Sequence, residues 1–259
     1  MGLREFIELE AYLGGEFLHP GARATTVALL PMLGLRPGGS ALELGCGTGA
    51  TAVLVTRTLG ARVTMLDRSL AMLVAAHNRL RKEQLLGEVD LIQADACQPW
   101  PFHEGVFDAV YAESAVALLE VESIIGECVR VLRPRGYLVL TERIWKPGVS
   151  QALADEVNAI SRRAFGIPAA TRRPLDRSAW LHLLHQSGLV NERAIPVDML
   201  LAATHHGPRL WGRVRRAGRY LARPQTIWQS IWFKAMTRRY QRLWSHLECY
   251  VFLAQKPES

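Results

Sequence analysis

The sequence predicts an α/β fold, doubly wound around a seven-stranded and mostly parallel sheet, and three features carry that expectation. A buried strand runs straight into a glycine-rich turn and a helix over Ala41 to Leu59. Apolar runs then alternate with helix-length segments as far as Thr141, the rhythm of a parallel sheet with helices on both faces and right-handed crossovers. Beyond Thr141 the rhythm changes, and two more strands separated by a long insert end the chain.

Taken in order, Leu3 to Leu13 has a short helical pattern that stops at Gly14-Gly15, and a second helix runs from about Arg23 to Leu33, closed by Gly34 and Pro37. The first strand leads into ALELGCGTG, Ala41 to Gly49, where Gly45, Gly47 and Gly49 let backbone approach a ligand and adopt positive φ. Glu43 stands two residues before the first of them, at the carboxyl end of the strand, where the crevice of an open α/β sheet lies. A helix over Ala50 to Leu59 follows, then a strand from Arg62 to Leu66 that ends at Asp67, the spacing at which dinucleotide folds place an acid on a ribose. Ser69 caps a helix reaching about Leu85. Strands are expected at Val89 to Ala94, Phe107 to Ala112 and Gly136 to Thr141, with a helix at Val121 to Leu132. Gln151 to Phe165 is a helix in the place of a cap, Arg177 to Ser187 a helix stopped by Gly188, Leu189 to Met199 a strand interrupted at Pro196, and Cys249 to Gln255 the last strand.

At 259 residues, 49% of them apolar, the chain is long enough for one elaborated domain over 1–259. Its parts are lid helices at 1–39, a core at 40–142, a cap at 143–176, terminal sheet elements at 177–199 and 248–259, and an insert at 200–247. Cys46, Cys97, Cys128 and Cys249 lack the close pairing of zinc or redox sites, and no secretory segment or membrane-spanning run is read. The expectation is a reducing cytoplasm and no metal. Charge is uneven: between Met199 and Leu247 there are ten Lys/Arg and no acid, so the net +7 becomes −3 without that stretch.

The E-x-G-x-G-x-G turn, VTMLD ending in Asp67, QADACQPWPF around Asp95, and FDAVYAES followed by RVLRPRGYLVL together resemble the class I S-adenosylmethionine-dependent methyltransferases, within them the type-11 or UbiE-like group. The resemblance covers roughly Ser40 to Glu142 and departs at Arg135, where the group usually has a second glycine after the proline. It implies a Rossmann-like methyltransferase sheet with an antiparallel final pair and S-adenosyl-L-methionine as cofactor, leaving S-adenosyl-L-homocysteine. It further implies backbone contact of Gly45, Cys46, Gly47 and Gly49 with the methionine moiety and Glu43 supporting the loop or the ammonium group. Asp67, with Arg68 beside it, would hold the ribose, Asp95 and Ala96 the adenine, and Glu113 would stand near the ammonium or the acceptor. The amino-terminal helices would lie over the cofactor, with Tyr12 and His19 facing the methyl group. Read as Gly45, Gly47, Ala50, the same loop also satisfies the looser pattern of nicotinamide oxidoreductases; a catalytically silent binder is the other alternative.

A hydroxyl or protonated-carbon acceptor needs a base, and His19, Glu113 and Glu142 are the reachable candidates at the top of the sheet, His19 first because an imidazole titrates near neutrality. The acceptor is expected to be small and apolar or aromatic. The insert carries an apolar stripe from Trp228 through Ile231, Ala235 and Leu243 to Leu247, with Lys234, Arg238, Arg239 and Arg242 opposite. Packing against the sheet, peripheral docking on a membrane surface through 209–247, nucleic acid, and an anionic small molecule are the readings open to it, nucleic acid disfavoured because aromatics and arginines do not interleave on one face.

Overall fold

In the computed structural model the described residues are 17, 19, 21–203, 231, 235 and 241–258. The expected first helix at Leu3 to Leu13, Tyr12, and most of the 200–247 insert lie outside them. Helices α1 (Ala22–Leu29), α2 (Ala50–Leu59), α3 (Leu70–Glu83), α4 (Val121–Val131), α5 (Gln151–Phe165), α6 (Arg177–Gln186) and α7 (Val197–Ala203) flank seven strands. The strands are β1 (Ser40–Leu44), β2 (Arg62–Asp67), β3 (Val89–Gln93), β4 (Phe107–Glu113), β5 (Leu132–Trp145), β6 (Val190–Pro196) and β7 (Leu247–Gln255). They lie in the order β3-β2-β1-β4-β5-β7-β6, and only β7 runs antiparallel to its neighbours.

Alternation along the strands builds two cores. Leu42, Val110, Leu138 and Leu140 face α4 and α6; Ala41, Met65, Tyr111 and Val139 face α1, α2, α3 and α7. Helix starts follow their capping residues: Ser69 Oγ accepts from the Met72 N–H and Asp176 Oδ1 from the Ala179 N–H, satisfying donors the helix cannot use itself. In the cap region, Asn158 is buried on α5, accepts from the Ala169 and Ala170 N–H groups and donates to the Thr171 carbonyl. The Trp145 indole also donates to the Thr171 carbonyl, so β5 and α5 are stitched to one loop.

Two elements differ from the expectation. The sixth strand ends at Pro196, and Val197–Ala203 is helix: Asp-Met-Leu-Leu-Ala-Ala are good helix formers apart from the acid, which falls in the first turn. β6 is an edge strand, as the proline suggested, but its irregularity lies between Val190 and Arg193. β5 is longer than Gly136 to Thr141 at both ends: β7 pairs with it continuously from Tyr137↔Gln255 to Trp145↔Leu247, which carries it past Thr141, and Phe107 of β4 pairs with Leu132 at its start. Within its first residues, where the pairing with β4 shifts register, Arg135 stands at φ 65°, the left-handed region that a glycine occupies without strain.

The core on the α4/α6 face depends on Trp180, fully buried and stacked on Phe252 with ring centroids 5.1 Å apart, its indole N–H without a hydrogen-bond partner. Trp180→Ala should lower the unfolding free energy by about 3–5 kcal/mol in a urea titration. Trp180→Phe keeps a ring on Phe252 and removes the unpaired N–H, so its loss should stay below about 1.5 kcal/mol.

Candidate functional site

The parallel strands end together. Register aligns Leu44 with Leu66 and with Ala112, Asp67 with Gln93, and Glu113 with Thr141, so the turns after β1 to β4 share one edge. The turn after β1 is folded back on β2: the Gly45 and Cys46 N–H groups both donate to the Leu66 carbonyl, at 2.8 and 3.2 Å, and the Gly47 N–H donates to Asp67 Oδ2 at 2.9 Å. All three glycines have positive φ. A Cβ on Gly45 would meet the Ala115 methyl at 2.8 Å, whereas one on Gly47 would meet nothing within 4 Å, so the Gly47 side of the turn is the open one.

Asp67 also accepts from the Ser69 N–H through Oδ1 at 2.8 Å. Burial pushes its carboxyl above the ordinary range, and those two N–H groups pull it back. Arg68 next to it is exposed. Asp95, exposed beyond β3, accepts from the Cys97 N–H at 3.0 Å, and the Ala96 carbonyl accepts from the Trp100 indole at 2.9 Å. Cys46 is buried, and burial raises its thiol well above the usual range.

A buried polar cluster lies on the α1/α2 face of the sheet. Glu43 is buried and accepts from the Tyr111 hydroxyl at 3.2 Å. Burial, then the neighbouring Glu113, push its carboxyl well above the ordinary range. Glu113 accepts from Thr51 Oγ1 at 2.7 Å and from Thr26 Oγ1 at 3.0 Å on each oxygen, and its Oε1 is 3.3 Å from His19 Nε2. Burial raises Glu113 to about 7 against the pull of those hydroxyls. His19 Nε2 is itself 3.1 Å from Thr26 Oγ1, with Phe17 edge-on to the ring. The threonine hydroxyl carries one proton. If it goes to Glu113, the histidine contact needs an N–H; if it goes to the histidine, the glutamate contact needs an O–H. Either way the His19–Glu113 contact holds a second proton, the one this cluster can move.

Thr26 and Thr51 were not read from the sequence. A signal existed: Thr26 falls with Leu29, Leu30 and Leu33 on the buried stripe of the first described helix, where an apolar residue is expected.

Glu142 does not join this cluster. By strand alternation it faces the opposite side of the sheet from Glu113, with Leu140 and Ile144. There its Oε1 accepts from the Ala115 and Val116 N–H groups at 3.1 and 2.8 Å, tying down the start of the Val116–Leu118 turn. Burial raises it too to about 7, with those N–H groups opposing. His103 is exposed in the loop before β4, and His185 is an exposed residue paired with Glu192.

Residues 42–140 match the model of a methyltransferase domain. The chain is 32% identical over 167 residues to the 27-O-demethylrifamycin SV methyltransferase of Amycolatopsis mediterranei, covering 60% of this chain and 61% of that one. It is 31% identical over 112 residues to the ubiquinone/menaquinone biosynthesis C-methyltransferase UbiE of Shewanella halifaxensis, covering 42% and 44%. Among solved structures it is similar to phosphoethanolamine N-methyltransferase 2 of Haemonchus contortus in complex with S-adenosyl-L-methionine, with a TM-score of 0.71 at 19% identity, covering 98% of this chain and 57% of that one. The chain thus spans less than two thirds of each of these proteins, and the structural likeness bears on the fold alone. Sequence motifs, sheet order and relatives agree, and the nicotinamide reading finds no support among them: residues 42–140 are a methyltransferase domain, and the chain is similar to S-adenosylmethionine-dependent methyltransferases of the group that includes UbiE.

Proposed function

We propose that the chain transfers a methyl group from S-adenosylmethionine to a small acceptor at an atom that must give up a proton, with His19 and Glu113 as the base. The observation that carries this is the 3.3 Å approach of His19 Nε2 to Glu113 Oε1, with Thr26 Oγ1 within hydrogen-bond distance of both, on the α1/α2 face of the sheet.

The residues present fit the cofactor. Its ammonium and sulfonium are cations, and Glu43 and Glu113 are buried acids bonded to hydroxyls, with no Lys or Arg within ion-pair distance among the described residues. With the N–H groups of Gly45, Cys46 and Gly47 turned to Leu66 and Asp67, what this part of the turn offers an ammonium is carbonyl oxygen, the acceptor a donor-only group needs. Gly49 opens α2 behind the turn. Each Asp67 oxygen accepts one backbone bond and keeps a lone pair for a ribose hydroxyl. Asp95 and Ala96 suit the adenine edge, with Arg68 flanking Asp67 at the solvent side. Tyr12, expected over the methyl group, lies outside the described residues. S-adenosylmethionine supplies an already activated methyl group, so alignment does much of the work. The chain's part is to hold the acceptor in line, exclude water, and take the acceptor's proton at His19 Nε2 or Glu113. Glu142 positions the Val116–Leu118 turn.

The 27-O acceptor in the name of the Amycolatopsis relative is a site of this proton-yielding kind. For the basic insert we favour peripheral contact with a membrane surface. Ile231 is 50% exposed and Ala235 exposed on the apolar stripe, while Leu243, Trp244 and Leu247 at its other end pack with Trp145, so Ile231 and Ala235 are the part that supports such contact. No helix of the described residues is long and apolar enough to cross a membrane.

Asp67→Ala should weaken binding of S-adenosylhomocysteine at least tenfold by calorimetry; unchanged affinity would remove the cofactor assignment. Because the base must be unprotonated, kcat/KM should climb with pH and level off above about 7, the value to which Glu113 is raised. Glu113→Gln and His19→Ala should each lower kcat by about 10²–10⁴-fold, and Glu113→Gln should also displace that limb in a pH–rate profile. Flotation with anionic vesicles should carry the protein at low salt, and Ile231→Glu should reduce the bound fraction.

A further inference from the structure

The central strands stop at the site, but two do not. β4 ends at Glu113, opposite Thr141, whereas β5 and β7 continue paired to Trp145↔Leu247, four residues farther along β5. This overhang forms a wall beside the His19–Glu113 cluster. On the wall, Arg143 is paired with Cys249 and, by alternation with Val139 and Thr141, faces the same side of the sheet as Glu113. At a strand rise of about 3.3 Å per residue, it stands roughly 7 Å beyond the level of Glu113.

Arg143 is half-buried, and its guanidinium lies over the Trp244 ring, 4.5 Å from the centroid. Trp244 is held there by the Gln241–His246 turn, whose last carbonyl accepts from the Lys146 N–H at the end of β5. The Cys249 thiol is within hydrogen-bonding reach of the guanidinium, and Asp198 and Glu142 act on the same neighbourhood electrostatically. Among the described residues no carboxylate forms an ion pair with Arg143, although Arg57, Arg130, Arg133, Arg135 and Arg173 all have one. A guanidinium held over an indole ring can present its N–H fork to a planar or tetrahedral oxyanion, which it meets through two parallel bonds.

We propose that Arg143, held by Trp244, binds an anionic group of the methyl acceptor, a carboxylate or a phosphate. The proposal rests on the methyl-transfer reading and adds to it that the acceptor pairs its proton-yielding atom with a negative charge on the overhang side.

The test uses the full chain saturated with S-adenosylhomocysteine and three probes that share a ring: benzoate, benzyl phosphate and benzyl alcohol, followed by calorimetry. Benzoate or benzyl phosphate should bind at least tenfold more tightly than benzyl alcohol, the stronger of the two identifying the anion. Arg143→Gln should abolish that preference while leaving S-adenosylhomocysteine affinity and Tm as in the wild type. If Arg143→Gln lowers Tm, Arg143→Lys carries the test, since it keeps the charge without the fork and should bind the preferred anion several-fold more weakly. Equal binding of charged and neutral probes by the wild type, or an anion preference that survives the substitution, would overturn the proposal. Loss of S-adenosylhomocysteine binding in the wild type itself would instead strike the cofactor assignment, so the two failures are distinguishable.

Discussion

The 2.9 Å bond from the Gly47 N–H to the Asp67 carboxylate joins the turn after β1 to the end of β2, and the arrangement of the edge depends on it. Together with the two N–H bonds from Gly45 and Cys46 to the Leu66 carbonyl, it makes the turn an extension of the sheet. Such a turn cannot carry side chains freely: at Gly45 a methyl would strike Ala115 at 2.8 Å, and Ala115 belongs to the loop that Glu142 fixes from behind. The geometry of β1, β2 and the β4 loop is therefore determined jointly, and a shift in any one of them moves the acid that faces the open side of Gly47.

The same edge explains why acids can be buried here at all. Removing a carboxylate from water costs several kcal/mol unless it is protonated or bonded. Glu43 and Glu113 meet that cost with neutral hydroxyls from Tyr111, Thr51 and Thr26, and by ionising less readily, Glu113 only at about 7. Hydroxyls donate to either charge state of the acid, whereas a lysine or arginine in their place would hold it permanently ionised. The cluster is thereby left responsive to a cation or a proton arriving from outside.

Most of this was legible in the sequence because period-2 and period-3.6 patterns are strong where one face is buried. The helix Ala50–Leu59 and the strand ending at Asp67 fall where the pattern places them. What escaped has physical causes. The Val197–Ala203 segment follows an apolar strand without a break in hydrophobicity, and only helix propensity distinguishes it. The extension of β5 past Thr141 is set by its partner β7, more than a hundred residues later in the chain. Thr26 and Thr51 act through tertiary contacts with a strand 87 and 62 residues away, which local sequence does not encode. Arg143, at the start of the expected cap, gains its setting from Trp244, more than a hundred residues later in the chain.

Glu113 and Glu142 show why burial and a raised pKa do not by themselves identify a reactive acid. They sit on adjacent strands, one residue out of register, and burial raises each to about 7. Yet Glu113 is bonded by side-chain hydroxyls and a histidine, groups that can exchange a proton with it, while Glu142 is bonded by backbone N–H groups that only donate. Protonating Glu142 would weaken the bonds that fix the Val116–Leu118 turn, so the fold resists its use as a base; protonating Glu113 disturbs only rotatable hydroxyls. The pleat of the sheet, which sends neighbouring residues to opposite faces, is what separates the two environments.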